Sequence, residues 1–135
     1  DPGSPSGKYQ PMNYDGKFHG TVTLRSALAN SYNIPAILVQ ETIGTKELIR
    51  TARALGIGTS LPEVQSLVLG AGTVRLLDMT GAYATLANGG IRHEPTPFLQ
   101  ITDSGGRVLF DATTAAKTEA ISSDAATPCS GPSLT

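Results

Sequence analysis

Apolar residues along the chain fall in short groups at helical spacing, separated by turn-forming residues. In TVTLRSALAN, Leu24, Ala27 and Leu28 lie on one face and Thr23 stands at an N-cap position, which predicts a short helix. Ser31-Tyr32-Asn33 interrupts it. Asn33 then serves as N-cap of a second helix, with Pro35 in the first turn, Ile34, Ile37, Leu38 and Ile43 as apolar positions and Gly44 as the stop. A third helix follows from Thr45 to Leu55, with Leu48, Ile49, Ala52 and Leu55 towards the core, Arg50 and Arg53 towards water, and Gly56 as its end.

Leu67-Val68-Leu69 fits either a short buried strand or a turn of helix, and periodicity does not separate the two. Gly70-Ala71-Gly72 breaks it. From Thr73 to Asn88, Leu76, Met79, Tyr83 and Leu86 recur at helical steps up to Gly89-Gly90, and Gly81 is read as a point of close packing. Phe98 to Thr102, the turn Asp103-Ser104-Gly105-Gly106 and Arg107 to Phe110 predict a β-hairpin. The pattern is that of a helix-rich α+β fold with a hairpin. Residues 1–8 read as an extended lead-in. Residues 111–135, rich in Ala, Ser and Thr, read as a low-complexity tail that is disordered or degraded.

Composition narrows the function. A chain of 135 residues is about one domain, and 10 Lys and Arg against 11 Asp and Glu leave a net charge of -1. That balance lacks the basic field of a nucleic-acid binder. One cysteine, Cys129, with His19 and His93 forms neither an internal disulfide nor a zinc constellation, so no metal or other cofactor is expected. The longest apolar run, Ile34 to Val39, is far short of the roughly 20 residues of a spanning helix. The chain begins at Asp1 without a signal-peptide pattern and reads as a piece of something longer.

Two stretches invite chemistry. LVLGAGTVRLLDM imitates the opening of a dinucleotide-binding unit, but Arg75 stands where the third glycine belongs and no apolar run precedes Glu94. The glycines are better read as a tight connection. Ser31-Tyr32-Asn33 places a hydroxyl and a carboxamide two residues apart between helices; by local spacing alone, Asn33 is an N-cap and Ser31 a turn residue.

Context changes that weighting. YQPMNYDGKFHGTVTLRSALANSYNIPA, from Tyr9 to Ala36, resembles the transpeptidase domain of bifunctional, high-molecular-mass penicillin-binding proteins. The resemblance rests on Tyr9, Pro11, Asn13 to Gly16, the Phe18-His19-Gly20 turn, Thr23 to Leu28, and Ser31 and Asn33 followed by Ile34-Pro35-Ala36. It continues through LVLGAGTVRLLDMTGAYATLANGG and the hairpin around Asp103 to Leu109. It therefore spans residues 9–110, which read as a partial transpeptidase domain of the kind shared with serine β-lactamases: its helical part plus a β-hairpin.

The resemblance implies a peptidoglycan DD-transpeptidase that takes D-Ala-D-Ala stem peptides and is trapped by β-lactams. In that family three motifs build the site: S-x-x-K with the nucleophile, S-x-N, and K-T-G. It assigns Ser31 to the proton relay and Asn33 to substrate amide and lysine, with Tyr32 lining the cleft or filling the core beneath it. No S-x-x-K occurs in the chain, and Lys117-Thr118-Glu119 has Glu119 where K-T-G needs glycine. The nucleophile is expected before Asp1, and this chain alone is expected to be inactive. ISSDAATPCSGPSLT keeps a shadow of the family's next segment, as a degraded or frame-shifted copy would, leaving Cys129 incidental. His19 reads as a turn residue and His93 as a solvated loop residue. The implied parent is extracytoplasmic and membrane-anchored, with a separate glycosyltransferase domain. The alternatives are a non-catalytic peptidoglycan-binding or scaffolding module and a remnant without function.

Overall fold

The computed structural model describes residues 11–114 and 117–126. The lead-in over 1–8, Tyr9, and the stretch 127–135 with Cys129 lie outside the described residues. The chain divides into two units, one drawn from Asp1–Arg50 and Ser60–Thr73, the other from Thr51–Thr59 and Val74–Thr135.

The first unit holds α1 (Leu24–Ala29), α2 (Asn33–Ile43), the opening of α3 (Thr45–Ala54) and a 3-10 turn at Gln65–Leu69. Thr23 caps α1 as its sequence position predicts, its hydroxyl accepting from the Ser26 amide at 3.1 Å. The start of α2 differs from expectation. Asn33 is already helical, and Tyr32 occupies the N-cap position without a side-chain hydrogen bond. The open amide of Ile34 donates instead to Asn13 Oδ1 at 3.2 Å, so the cap comes from 21 residues upstream.

Gln40 holds this unit together. It is 1% exposed, and its Nε2 donates to Thr45 Oγ1 at 2.9 Å and to the Val64 carbonyl at 2.8 Å, while its Oε1 accepts from the Val68 amide at 2.9 Å. A buried carboxamide is tolerated because its polar atoms are paired. These bonds pin the 3-10 turn to α2 and settle the open reading of Leu67-Val68-Leu69 in favour of helix. They also leave no strand before Gly70, as a dinucleotide-binding unit would require. At Gly72 an added Cβ would lie 2.8 Å from Leu61 Cδ2, consistent with a tight connection.

The second unit comprises the end of α3, α4 (Leu76–Ala87), β1 (Ile91–Arg92), β2 (Gln100–Thr102), β3 (Val108–Asp111), a 3-10 turn at Ala112–Thr114, β4 (Thr118–Glu119) and α5 (Ser123–Ala126). Antiparallel β2 and β3 form the expected hairpin, with an irregularity between Ile101 and Thr102. The buried side of α4 is not the predicted apolar stripe. Asp78, Ala82 and Thr85 are buried, whereas Leu76 is 83% and Tyr83 68% exposed. Small side chains let α4 approach β1 and α5, and Asp78 is drawn in by polar partners, so the Leu76–Tyr83 side is left uncovered in this unit. Gly81 meets nothing closer than Pro95 Cγ at 3.6 Å to an added Cβ, so close packing does not explain it.

Residues 117–126, whose composition predicts little packing, carry β4 and α5. Backbone pairing rather than large apolar side chains orders this stretch: β4 pairs antiparallel with β1, and the Ala120 amide donates to the Gly90 carbonyl at 2.9 Å. Gly90 permits that approach. Its φ is +87°, and an added Cβ would lie 2.1 Å from the Ile121 carbonyl oxygen.

Candidate functional site

Ser31, Tyr32 and Asn33 form the junction between α1 and α2. From the α1 side, the Ser31 amide donates to the Leu28 carbonyl at 3.1 Å and the Tyr32 amide to Ala27 at 2.9 Å. Ser31 has φ 53°, the one non-glycine residue with positive φ among the described residues. A left-handed conformation there costs about 1–3 kcal/mol, which neighbouring contacts must offset. Its side chain is exposed.

Those contacts come from the segment around residues 12–19. Asn33 Nδ2 donates to the Met12 carbonyl at 2.8 Å, and Asn13, 6% exposed, binds the Ile34 amide while its Nδ2 donates to the Lys17 carbonyl at 2.8 Å. The His19 ring stacks on Tyr32, with centroids 4.1 Å apart and planes inclined by 11°. Asp15 Oδ2 lies 2.8 Å from His19 Nε2, and Asp15 Oδ1 accepts from the Lys17 amide at 3.0 Å. The Lys17 amide is the main reason the Asp15 carboxyl sits below the usual carboxylate range; desolvation opposes it and the hydrogen bond with His19 assists. An ionised Asp15 only accepts hydrogen bonds, so Nε2 is the protonated nitrogen of His19.

Beside this junction opens a cavity of about 500 Å³, lined by apolar Leu24, Leu28, Val39 and Leu69 and edged by Ser31, Tyr32 and Asn33. Leu24 and Leu28, which share one face of α1, are 68% and 84% exposed. A hydroxyl and a carboxamide at the rim of an apolar cleft suit a ligand with a hydrogen-bonding backbone and small apolar side chains. Sequence spacing separated Asn13, Asp15 and His19 from this junction; only their shared place in the Tyr9–Ala36 resemblance pointed to a connection.

A second polar cluster lies in the other unit. Asp78 Oδ2 accepts from the Gly58 amide at 3.0 Å and from Arg75 Nε at 3.1 Å, while Oδ1 lies 2.9 Å from an Arg75 terminal nitrogen. The Gly58 amide is the leading cause of the lowered Asp78 pKa, with burial opposing it and Arg75 reinforcing it. Arg92 pairs with Glu94 nearby. Each of these charges is compensated, and the cluster ties the Gly56–Gly58 loop to α4. Among the described residues, no group of three or more His, Cys, Asp or Glu is placed to hold a metal ion.

A family model described as the penicillin binding protein transpeptidase domain matches residues 1–128. Over 104 residues the chain is 43% identical to Penicillin-binding protein 2D of Bacillus subtilis, covering 76% of this chain and 15% of that protein. It is 38% identical over 116 residues to Penicillin-binding protein 1B of Haemophilus influenzae, covering 85% of this chain and 15% of that protein. Among solved structures, the PonA1 protein of Mycobacterium tuberculosis in complex with penicillin V matches with a TM-score of 0.75 at 30% identity, over 85% of this chain and 34% of that chain. The chain thus spans about 15% of the length of these curated relatives.

Proposed function

Because the chain belongs to the penicillin-binding protein transpeptidase-domain family, we propose that it carries the S-x-N part of a peptidoglycan DD-transpeptidase site. Ser31 serves the proton relay to the leaving amine, and Asn33 and Tyr32 contact the D-Ala-D-Ala-terminated stem peptide. The observation that carries this reading is the position of Ser31-Tyr32-Asn33 at the rim of the apolar cavity beside α1 and α2.

In the complete reaction a serine attacks the carbonyl of the penultimate D-Ala, the terminal D-Ala leaves with a proton, and an amine of a neighbouring strand takes the acyl group. The chain has no S-x-x-K and no K-T-G, so the nucleophile, its lysine and the strand motif are supplied from outside residues 1–135. The whole protein is proposed to work outside the cytoplasm, anchored to the membrane. Among the described residues, no helix is long and apolar enough to cross one. Exposed Leu24 and Leu28 on this unit, and Leu76 and Tyr83 on the other, support the view that further parts of the domain cover these faces.

Incubation of the chain with a labelled penicillin tests the assignment. Intact mass should show no covalent adduct; a stoichiometric adduct would place a nucleophile within these residues. The cavity also favours a second reading, a non-catalytic muropeptide-binding module. That reading requires weak, saturable binding of muropeptides, and a folded chain that shows none would eliminate it.

A further inference from the structure

We infer that Asp15 and His19 form a brace that seats Tyr32 and so fixes the directions in which Ser31 and Asn33 present their side chains. His19 is then a positioning residue of the S-x-N junction rather than a turn residue. The functional half of this inference rests on the reading that Ser31 and Asn33 handle the donor peptide.

The turn that contains Asn13 to Lys17 is closed without the imidazole. The Gly16 amide donates to the Asn13 carbonyl at 2.9 Å, and Asn13 Nδ2 holds the Lys17 carbonyl. His19 therefore has another task, and its ring is engaged on two sides. Its edge donates to Asp15 Oδ2 at 2.8 Å, which fixes the ring's rotation, and its face lies against Tyr32 at 4.1 Å. Asp15 is itself held by the Lys17 amide.

Tyr32 is the residue at which α1 ends its influence and α2 begins, and it has no side-chain cap of its own. Its neighbours are tied to the same segment, Asn33 through Met12 and the following amide of Ile34 through Asn13. The stack supplies the attachment of the Tyr32 side chain, directly after the strained Ser31 backbone. Without it, Tyr32 keeps the bond of its amide to the Ala27 carbonyl, but nothing fixes the direction of its side chain between Ser31 and Asn33.

The test is nuclear magnetic resonance on the full 135-residue chain, with a diacetyl-Lys-D-Ala-D-Ala peptide as probe. In the wild type, His19 ring protons should show an upfield ring-current shift and cross-relaxation with the Tyr32 ring. His19→Leu removes the planar face, whereas His19→Phe keeps the face and loses the bond to Asp15. Amide resonances of Ser31, Tyr32 and Asn33 should move in His19→Leu and return towards wild type in His19→Phe, with those of α4 unchanged. The probe's Kd should weaken about two- to tenfold in His19→Leu, the range of one aromatic pair, and recover only in part in His19→Phe, which lacks the bond to Asp15.

Unmoved junction amides in His19→Leu, or no recovery in His19→Phe, would overturn the brace. So would moved amides with an unchanged Kd. If His19→Leu does not fold, the wild-type ring contact decides, and its absence refutes the inference. A wild type that binds no probe contradicts the donor-peptide reading instead, and the brace then stands or falls on the resonances alone.

Discussion

The amide of Ile34 donates to the carboxamide oxygen of Asn13 at 3.2 Å, so a residue 21 positions earlier caps the helix that begins at the S-x-N junction. Asn13 also holds the Lys17 carbonyl. Asn13→Ala removes both bonds from a buried position and should cost about 1–3 kcal/mol. Urea unfolding of the chain measures this; a loss below about 0.5 kcal/mol would show that water or a neighbour replaces the cap.

Gln40 makes a sharper case, because its buried carboxamide pairs with backbone groups at both Val64 and Val68. Gln40→Leu keeps roughly the volume but takes the Gln40 acceptor from the Val68 amide and leaves the Val64 carbonyl with the Leu67 amide alone. A buried amide that loses its acceptor costs about 1–3 kcal/mol. Hydrogen exchange at the Val68 amide should accelerate along with the loss in stability. Unchanged protection there would mean that the turn is held by other contacts.

Two glycines should respond in opposite directions. At Gly81, inside α4, an added methyl meets only ordinary contact with Pro95, so Gly81→Ala should stabilise the chain by up to about 1 kcal/mol. Gly90→Ala puts a side chain on a left-handed backbone and into the Ile121 carbonyl. The conformation alone costs about 1–3 kcal/mol, and the pairing of β1 with β4 is lost besides. Thermal midpoints of the two variants should lie on either side of the wild type.

Asp15 and Asp78 both have pKa values lowered on folding. Such groups contribute stability that is fully present above the unfolded carboxylate pKa of about 3.9 and is lost as pH falls through the folded value. The chain's thermal midpoint should therefore hold from neutral pH to about 5 and decline below about 4. Asp78→Asn should lower the midpoint at neutral pH, and its difference from wild type should shrink on acidification. A difference that stays constant with pH would show that the ionised carboxylate contributes nothing specific.

The elements that the sequence disclosed best are those with local signals: Thr23 capping α1, the break at Ser31-Tyr32-Asn33, Gly44 after α2, and the Asp103–Gly106 turn. Local signals failed where the outcome depends on distant partners. Asn33 has the composition of an N-cap, but Met12 takes its side chain and Asn13 supplies the cap. The stripe Leu76, Met79, Tyr83 is a sound helix signal and a poor guide to burial, because α4 turns Ala82 and Thr85 inward within its own unit. Pairing of β1 with β4 leaves almost no trace in side-chain pattern, since two-residue strands rest on backbone bonds. For the site, family resemblance alone pointed to Ser31, Tyr32 and Asn33, whereas the stack of His19 on Tyr32 joins residues whose separation matches no periodicity.

This chain is proposed to be the S-x-N portion of a DD-transpeptidase whose nucleophile lies outside it. Sequencing the coding DNA on both sides of the segment tests this most directly. An S-x-x-K motif is expected upstream of Asp1 and a K-T-G motif downstream of Thr135, in the same or a shifted frame. Genuine start and stop signals close to these ends, with neither motif beyond them, would contradict it.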